Sequence, residues 1–337
     1  MQVVDIHAHV TPDRYKEAIR VHGSWHGLGP EVGELDRHGF TLSIPERIAV
    51  LDKNGVDRQL ITPTVGFYQY DNDLDTATRV ARECNDEMAE IVDRHPTRFT
   101  GLGTVPMQDI PTAIAELTRC IKELNLKGVI IGDHVNNHNY DEPQFLPFFQ
   151  AAEALGAILF FHQGGGTVVS PRTKRYSLSN GIGNLTERTL TFANLVFGGV
   201  MDRCPRLKPL LAHGGGYVAF GIGRLDKIAG AFEGSFPNGP LTPPFPQPDG
   251  QYKLTRAPST YLSQFYYDCC TFDGRALRFL IDTVGIDRVM AGSDAPAPME
   301  LLDLANWVKG LKELTADEKD AILRRNPATF LSLGSGA

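Results

Sequence analysis

Val3-Val4-Asp5-Ile6-His7-Ala8-His9 opens the chain as an apolar run that closes on two histidines. Side chains of an extended strand alternate between faces, so His7 and His9 point the same way and come within reach of one ion. Two imidazoles are costly in an ordinary core, where each needs hydrogen-bond partners. Taken alone, the pair also fits a surface feature or a satisfied core pair. What decides is whether other strands end in further ligands.

Working outward, seven more short apolar runs start near residues 58, 99, 127, 157, 207, 264 and 288. Helical spacing follows each of them. It is clearest over Leu74–Arg94, where Leu74, Ala77, Val80, Ala81, Cys84, Met88, Ile91 and Val92 form one stripe. Further helices are predicted at Pro45–Asn54, Ile110–Leu124, Pro143–Leu155, Thr186–Met201, Tyr217–Phe232, Asp273–Val284 and Met299–Leu314. A last one starts at Thr315, with Glu318 as capping-box partner. Eight alternating units with strands apolar throughout indicate parallel strands covered by helices, an α/β fold. Closing them gives a (β/α)8 TIM barrel, a single domain over residues 1–337. A doubly wound open sheet is the alternative, weakened by the lack of a Gly-x-Gly-x-x-Gly turn after the first strand.

Two excursions interrupt the alternation. Residues 11–43 read as a long irregular segment in which His22, Trp25, His26 and His38 are better placed on the surface than in a pocket. Residues 235–259 are Pro-rich and can be neither regular helix nor central strand.

With 337 residues, 42% hydrophobic and 22% charged, the composition is that of an ordinary globular protein with a large core. A net charge of −7 argues against nucleic acid or an anionic membrane as partner. The lack of a membrane-length apolar run or a leader reads as a cytoplasmic protein. The five cysteines (84, 120, 204, 269 and 270) have no Cys-x-x-Cys spacing and read as small buried hydrophobes, with a reservation for Cys269 and Cys270 at a strand end.

In a (β/α)8 barrel the C-terminal strand ends meet at one mouth. The metal-competent groups at those ends are His7 and His9 on strand one, His162 on strand five, His213 on strand six and Asp294 on strand eight. Such an arrangement, with room left for water or substrate, suits a catalytic zinc ion. His213 could itself be a ligand. The glycines after it, Gly214 to Gly216, instead suggest an anion seat at a helix start with the imidazole beside it as acid or base.

VDIHAHV, LFFHQ, LLAHGGGYVAFGIGRLD and RVMAGSDAP together resemble the amidohydrolase superfamily, in its aminocarboxymuconate-semialdehyde decarboxylase-like branch. The resemblance runs from Val3 to about Leu333, and HGGG followed by GR-x-D is its most specific part. It implies a metal-dependent barrel, usually with zinc and sometimes manganese, that releases carbon dioxide from unsaturated or aromatic acids without redox chemistry. Superfamily members with two metals bridge them by a carboxylate or lysine at the end of strand four, where this chain has Gly132-Asp133-His134 with its one lysine, Lys127, at the wrong end, so one metal is expected. Carried over by motif, His7, His9, His162 and Asp294 are ligands, His213 with Asp294 handles the proton, and Arg224 binds the substrate carboxylate across a homodimer interface. Two departures bear on the substrate. The arginine that the muconate enzymes carry in the first excursion has no counterpart in Gly39-Phe40-Thr41, Arg37 being out of register, and Tyr176 stands where the family tends to carry Trp. Three functions are compatible with these residues: a decarboxylase, a hydrolase or hydratase acting on an amide, lactone or conjugated acid, and a non-catalytic metal-binding barrel.

Overall fold

The computed structural model of the protein describes residues 1–230, 241, 243 and 250–333. Its strands are β1 (Val4–Val10), β2 (Arg58–Pro63), β3 (Phe99–Gly101), β4 (Gly128–Ile131), β5 (Ile158–Phe161), β6 (Lys208–Leu211), β7 (Tyr266–Asp268) and β8 (Val289–Met290). All of their pairings are parallel, in the orders β1-β2-β3 and β4-β5-β6-β7-β8. Two seams join these groups into a ring. At one, Gly103 bridges Val129, with Ile130 N–H donating to the Gly103 carbonyl at 2.8 Å. At the other, Ala8 bridges Ala295, and Ile6 N–H donates to Ala291 at 2.8 Å and His9 N–H to Ala295 at 2.7 Å. The architecture is the (β/α)8 barrel, with eight strands in chain order around one core.

Burial explains why these segments become strands. β4 (GVII) and β5 (ILFF) are buried at every position, as expected where helices cover the outside and side chains fill the inside. The helix Leu74–Arg94 buries the stripe that includes Ala77, Val80, Cys84, Met88 and Ile91, and Asp73 caps it by accepting from Thr76 N–H at 2.9 Å. Val80 and Met88 are fully buried, each contributing about 2 kcal/mol. Capping boxes start the helices Ile44–Lys53 (Ser43 with Glu46) and Ala316–Asp320 (Thr315 with Glu318).

Several boundaries differ from the sequence expectation. The segment 11–43 is not irregular throughout: it holds the helix Asp13–His22, stopped by Gly23 at φ 74°, and a single helical turn at His38–Thr41. Its apolar residues Tyr15, Trp25 and Leu28 pack with Phe67, Val80 and Cys84 as a small separate core. Trp25 is thus structural, His22 is exposed, and His26 pairs with Glu83 at 2.9 Å. Thr186–Met201 breaks at Gly198-Gly199, where Gly199 has φ 70°, into Leu185–Phe197 and Val200–Arg203. Met299–Leu314 shortens to Leu304–Gly310 because Leu301 N–H is committed to the Ser293 carbonyl at 2.8 Å. Residues 231–240, 242 and 244–249, most of the Pro-rich excursion with Phe232, lie outside the described residues. Among the described residues no helix is long and apolar enough to cross a membrane.

Candidate metal centre

Because β1 lies next to β8 in the ring, the two histidines of β1 and the residue just past β8 share one rim. Asp294 N–H donates to the His7 carbonyl at 2.9 Å, which fixes the carboxylate beside the imidazoles. Asp294 Oδ1 lies 3.1 Å from His7 Nε2, 3.2 Å from His9 Nε2 and 3.7 Å from His162 Nε2. The ligand atoms of these four buried residues all fall within 4.8 Å of one another. Gly292 makes the close packing behind them possible, since a Cβ there would stand 2.9 Å from both the His7 and the Asp268 Cβ.

Each ring is turned the same way. His7 Nδ1–H donates to Asp268 Oδ2 at 2.7 Å, His9 Nδ1–H to Thr62 Oγ1 at 3.0 Å, and His162 Nδ1–H to the Gln163 carbonyl at 3.2 Å. A carboxylate and a carbonyl can only accept, and the Thr62 hydroxyl has the Pro63 carbonyl, 3.1 Å away, for its own hydrogen. The neutral rings therefore carry their hydrogen on Nδ1 and aim an Nε2 lone pair at Asp294. His7 and His9 Nε2 stand only 3.3 Å apart, and His162 Nε2 is buried without a partner. Three lone pairs and a carboxylate around one point call for a cation, and this set fits a divalent metal.

The electrostatics agree. Burial works against a charge on His7, but Asp294 and the hydrogen bond to Asp268 outweigh it and raise the ring to about 10. Burial lowers His9, and lowers His162 to about 3. Burial would raise Asp294, yet the charge on His7 above all holds its carboxyl well below the usual range. Without an ion the cluster keeps a proton on His7 in its place.

His213 stands on the other side of the carboxylate, with Nε2 3.4 Å from Asp294 Oδ2. His213 and Asp294 both adopt left-handed backbone, at φ 57° and 61°, a strain of about 1–3 kcal/mol each that concentrates at functional positions. The anion seat expected at Gly214–Gly216 is not open. Asp268 fills it, accepting from His213 N–H and Gly214 N–H at 2.8 Å each, while Gly216 N–H turns back to the His213 carbonyl. Asp268, at the end of β7, is the residue that sequence reading missed. Its signal was there, a carboxylate closing the apolar run before Cys269.

A cavity of about 420 Å³ opens over the centre, lined by His9, His162, His213 and Asp294 together with Arg37 and Gln163. Arg37 reaches this wall although it is out of register, and it pairs with Glu34. Arg224 does not join the site: it is exposed on the helix Val218–Ala229 and is absent from the cavity lining of its own chain. Asp133, at the end of β4, is committed to Arg188 and, at 2.7 Å, to the Thr191 hydroxyl. Cys269 and Cys270 are buried, and burial pushes both thiols up, so neither is poised to react.

Comparison with known proteins gives the same picture. A family profile described as Amidohydrolase matches residues 4–333. The 2-amino-3-carboxymuconate-6-semialdehyde decarboxylase of Dictyostelium discoideum is 32% identical over 98% of this chain and 91% of its own. The gamma-resorcylate decarboxylase of Polaromonas sp. is 26% identical over 81% of this chain and 82% of its own. The solved structure of 5-carboxyvanillate decarboxylase from Sphingomonas paucimobilis superposes with a TM-score of 0.82 at 28% identity, covering 99% of both chains. The chain belongs to the amidohydrolase family, in its aminocarboxymuconate-semialdehyde decarboxylase-like branch.

Proposed function

We propose that this protein is a metal-dependent, non-oxidative decarboxylase of an unsaturated or aromatic carboxylic acid. His7, His9, His162 and Asp294 hold one divalent ion, and His213 with Asp294 manages the proton. The observation that carries this reading is the convergence of three Nε2 lone pairs on Asp294 Oδ1 with His213 beside the other oxygen. Three nitrogens and one oxygen favour zinc, with manganese the alternative. When bound, the ion supplies positive charge that draws in and polarises an acidic substrate.

Loss of carbon dioxide leaves an electron pair on carbon. A proton on His213 Nε2, held toward Asp294 Oδ2, is placed to form the new C–H bond at the carbon bearing the carboxylate. That carbon becomes tetrahedral; the C–C bond then breaks, and its electron pair restores the conjugated system as carbon dioxide leaves. Solvent returns the proton to His213. Phe40 and Met299 give the cavity apolar surface for a flat conjugated acid.

The protein acts as a homodimer in this reading, Arg224 reaching the partner's cavity from a helix on which Phe220 is 85% exposed. Five unpaired cysteines favour the reducing cytoplasm. The test is to load the protein with zinc or manganese and assay aromatic and muconate-type acids for released carbon dioxide. Water incorporation without carbon dioxide points to a hydratase instead.

A further inference from the structure

Gln163 follows the ligand His162 and is 5% exposed. Its amide nitrogen is tied into the loop that follows, donating to the carbonyls of Gly165 at 3.0 Å and Gly166 at 2.6 Å. Carbonyl groups cannot donate, so turning the amide over would set Oε1 against acceptors; the orientation is fixed. Oε1 is then left buried without a hydrogen-bond partner, on a residue that lines the metal cavity. Among the described residues the lining holds one more such side-chain oxygen, Thr64 Oγ1. Buried acceptors are rarely left unmet in a native protein, and one on a residue that lines a ligand cavity calls for a donor from the ligand.

The reaction chemistry asks for the same group. Protonating a conjugated carbon is easiest where an oxygen or nitrogen substituent releases electrons into the system, and such a hydroxyl or amine carries the hydrogen that an acceptor recognises. We propose that Gln163 Oε1 is a specificity-determining acceptor that reads a hydroxyl or amino hydrogen on the acid bound at the metal centre. This rests on the decarboxylase reading for the substrate being a carboxylic acid. An O–H or N–H accepted by Oε1 orients the ring over the ion, and an ether at that position leaves Oε1 unmet. Sites that hydrogen-bond a substrate group discriminate strongly against analogues lacking it.

The test compares 2,6-dihydroxybenzoate with 2,6-dimethoxybenzoate by equilibrium titration of the metal-loaded protein, in wild type, Gln163→Met and Gln163→Glu. Wild type is expected to favour the hydroxyl-bearing acid by at least about tenfold. Gln163→Met should lose most of that ratio, and Gln163→Glu, which keeps an acceptor, should retain it although the added charge weakens both acids. Disturbing the glycine loop alone weakens both acids alike and leaves the ratio unmoved. No preference in wild type, or an unchanged ratio in Gln163→Met, overturns the proposal. Carbon dioxide release is scored separately on the same acids. A preference with no release from these or from the muconate-type acids sinks the decarboxylase reading and keeps the acceptor; release without a preference does the reverse.

Discussion

One oxygen of Asp268 holds two parts of the site at once: Oδ2 accepts His7 Nδ1–H at 2.7 Å and His213 N–H at 2.8 Å. The other oxygen takes Gly214 N–H at 2.8 Å and Cys270 N–H at 3.0 Å. A fully buried carboxylate with four donors has no capacity to spare. It sets the tautomer of a proposed ligand and the position of the proposed acid in one stroke.

Asp268→Asn must turn an NH2 toward one of these donors. If it faces His7, the ring moves its hydrogen to Nε2 and a ligand lone pair disappears. Metal affinity is expected to fall about 10- to 100-fold, measured by chelator competition. Unchanged affinity would show that the tautomer is set elsewhere.

Raised from the ordinary 6.5 to about 10, His7 keeps a proton in the metal-free cluster. The stabilisation from that proton is fully present below about pH 6.5 and is lost as pH climbs through about 10. An incoming ion must expel it, so metal affinity runs the opposite way and strengthens over the same window. Chelated protein should melt at falling temperature from pH 7 to 10 while apparent affinity for zinc rises. An affinity independent of pH would place the proton elsewhere.

Arg224 can be tested by mixing. Arg224→Ala and His162→Ala are each expected to be inactive, whereas random exchange of subunits leaves half of the dimers with one intact site, about a quarter of wild-type activity. Hybrids that form and stay inactive would rule out a role across the interface.

Asp133 and Arg188 form a buried ion pair, and the guanidinium also donates to the Phe161 carbonyl that precedes His162. Asp133→Ala strands the guanidinium and is expected to destabilise the fold by about 3–5 kcal/mol in urea unfolding. A loss below about 1 kcal/mol would mean that water reaches Arg188.

The barrel was legible because its signals are local: eight apolar runs, helical spacing between them, and polar residues at the strand ends. His7, His9, His162, His213 and Asp294 stood out for the same reason, and the structure gathers them on one rim. Asp268 escapes the sequence pattern because FYYDCC reads as a strand closing on its cysteines, although a buried carboxylate is the costlier group to explain. The Gly214 amide reads as free in the sequence because its partner is 54 residues away. Arg37 and Gln163 were illegible for a different reason. Which side chains line a cavity is set by the packing of the excursion around Tyr15 and by hydrogen bonds to glycine carbonyls, neither of which has a period along the chain.

The ring closes on a thinly laced seam, held like that between β3 and β4 by one bridge. β8 has two residues, and its neighbour across the join contributes a single bridge, Ala8 to Ala295, plus a few backbone bonds. His9 and Asp294 face each other across that gap, 285 positions apart along the chain. Any ion gripped by both therefore works as a clasp between the beginning of the polypeptide and its end, and stripping it should loosen the suture before the rest of the wall.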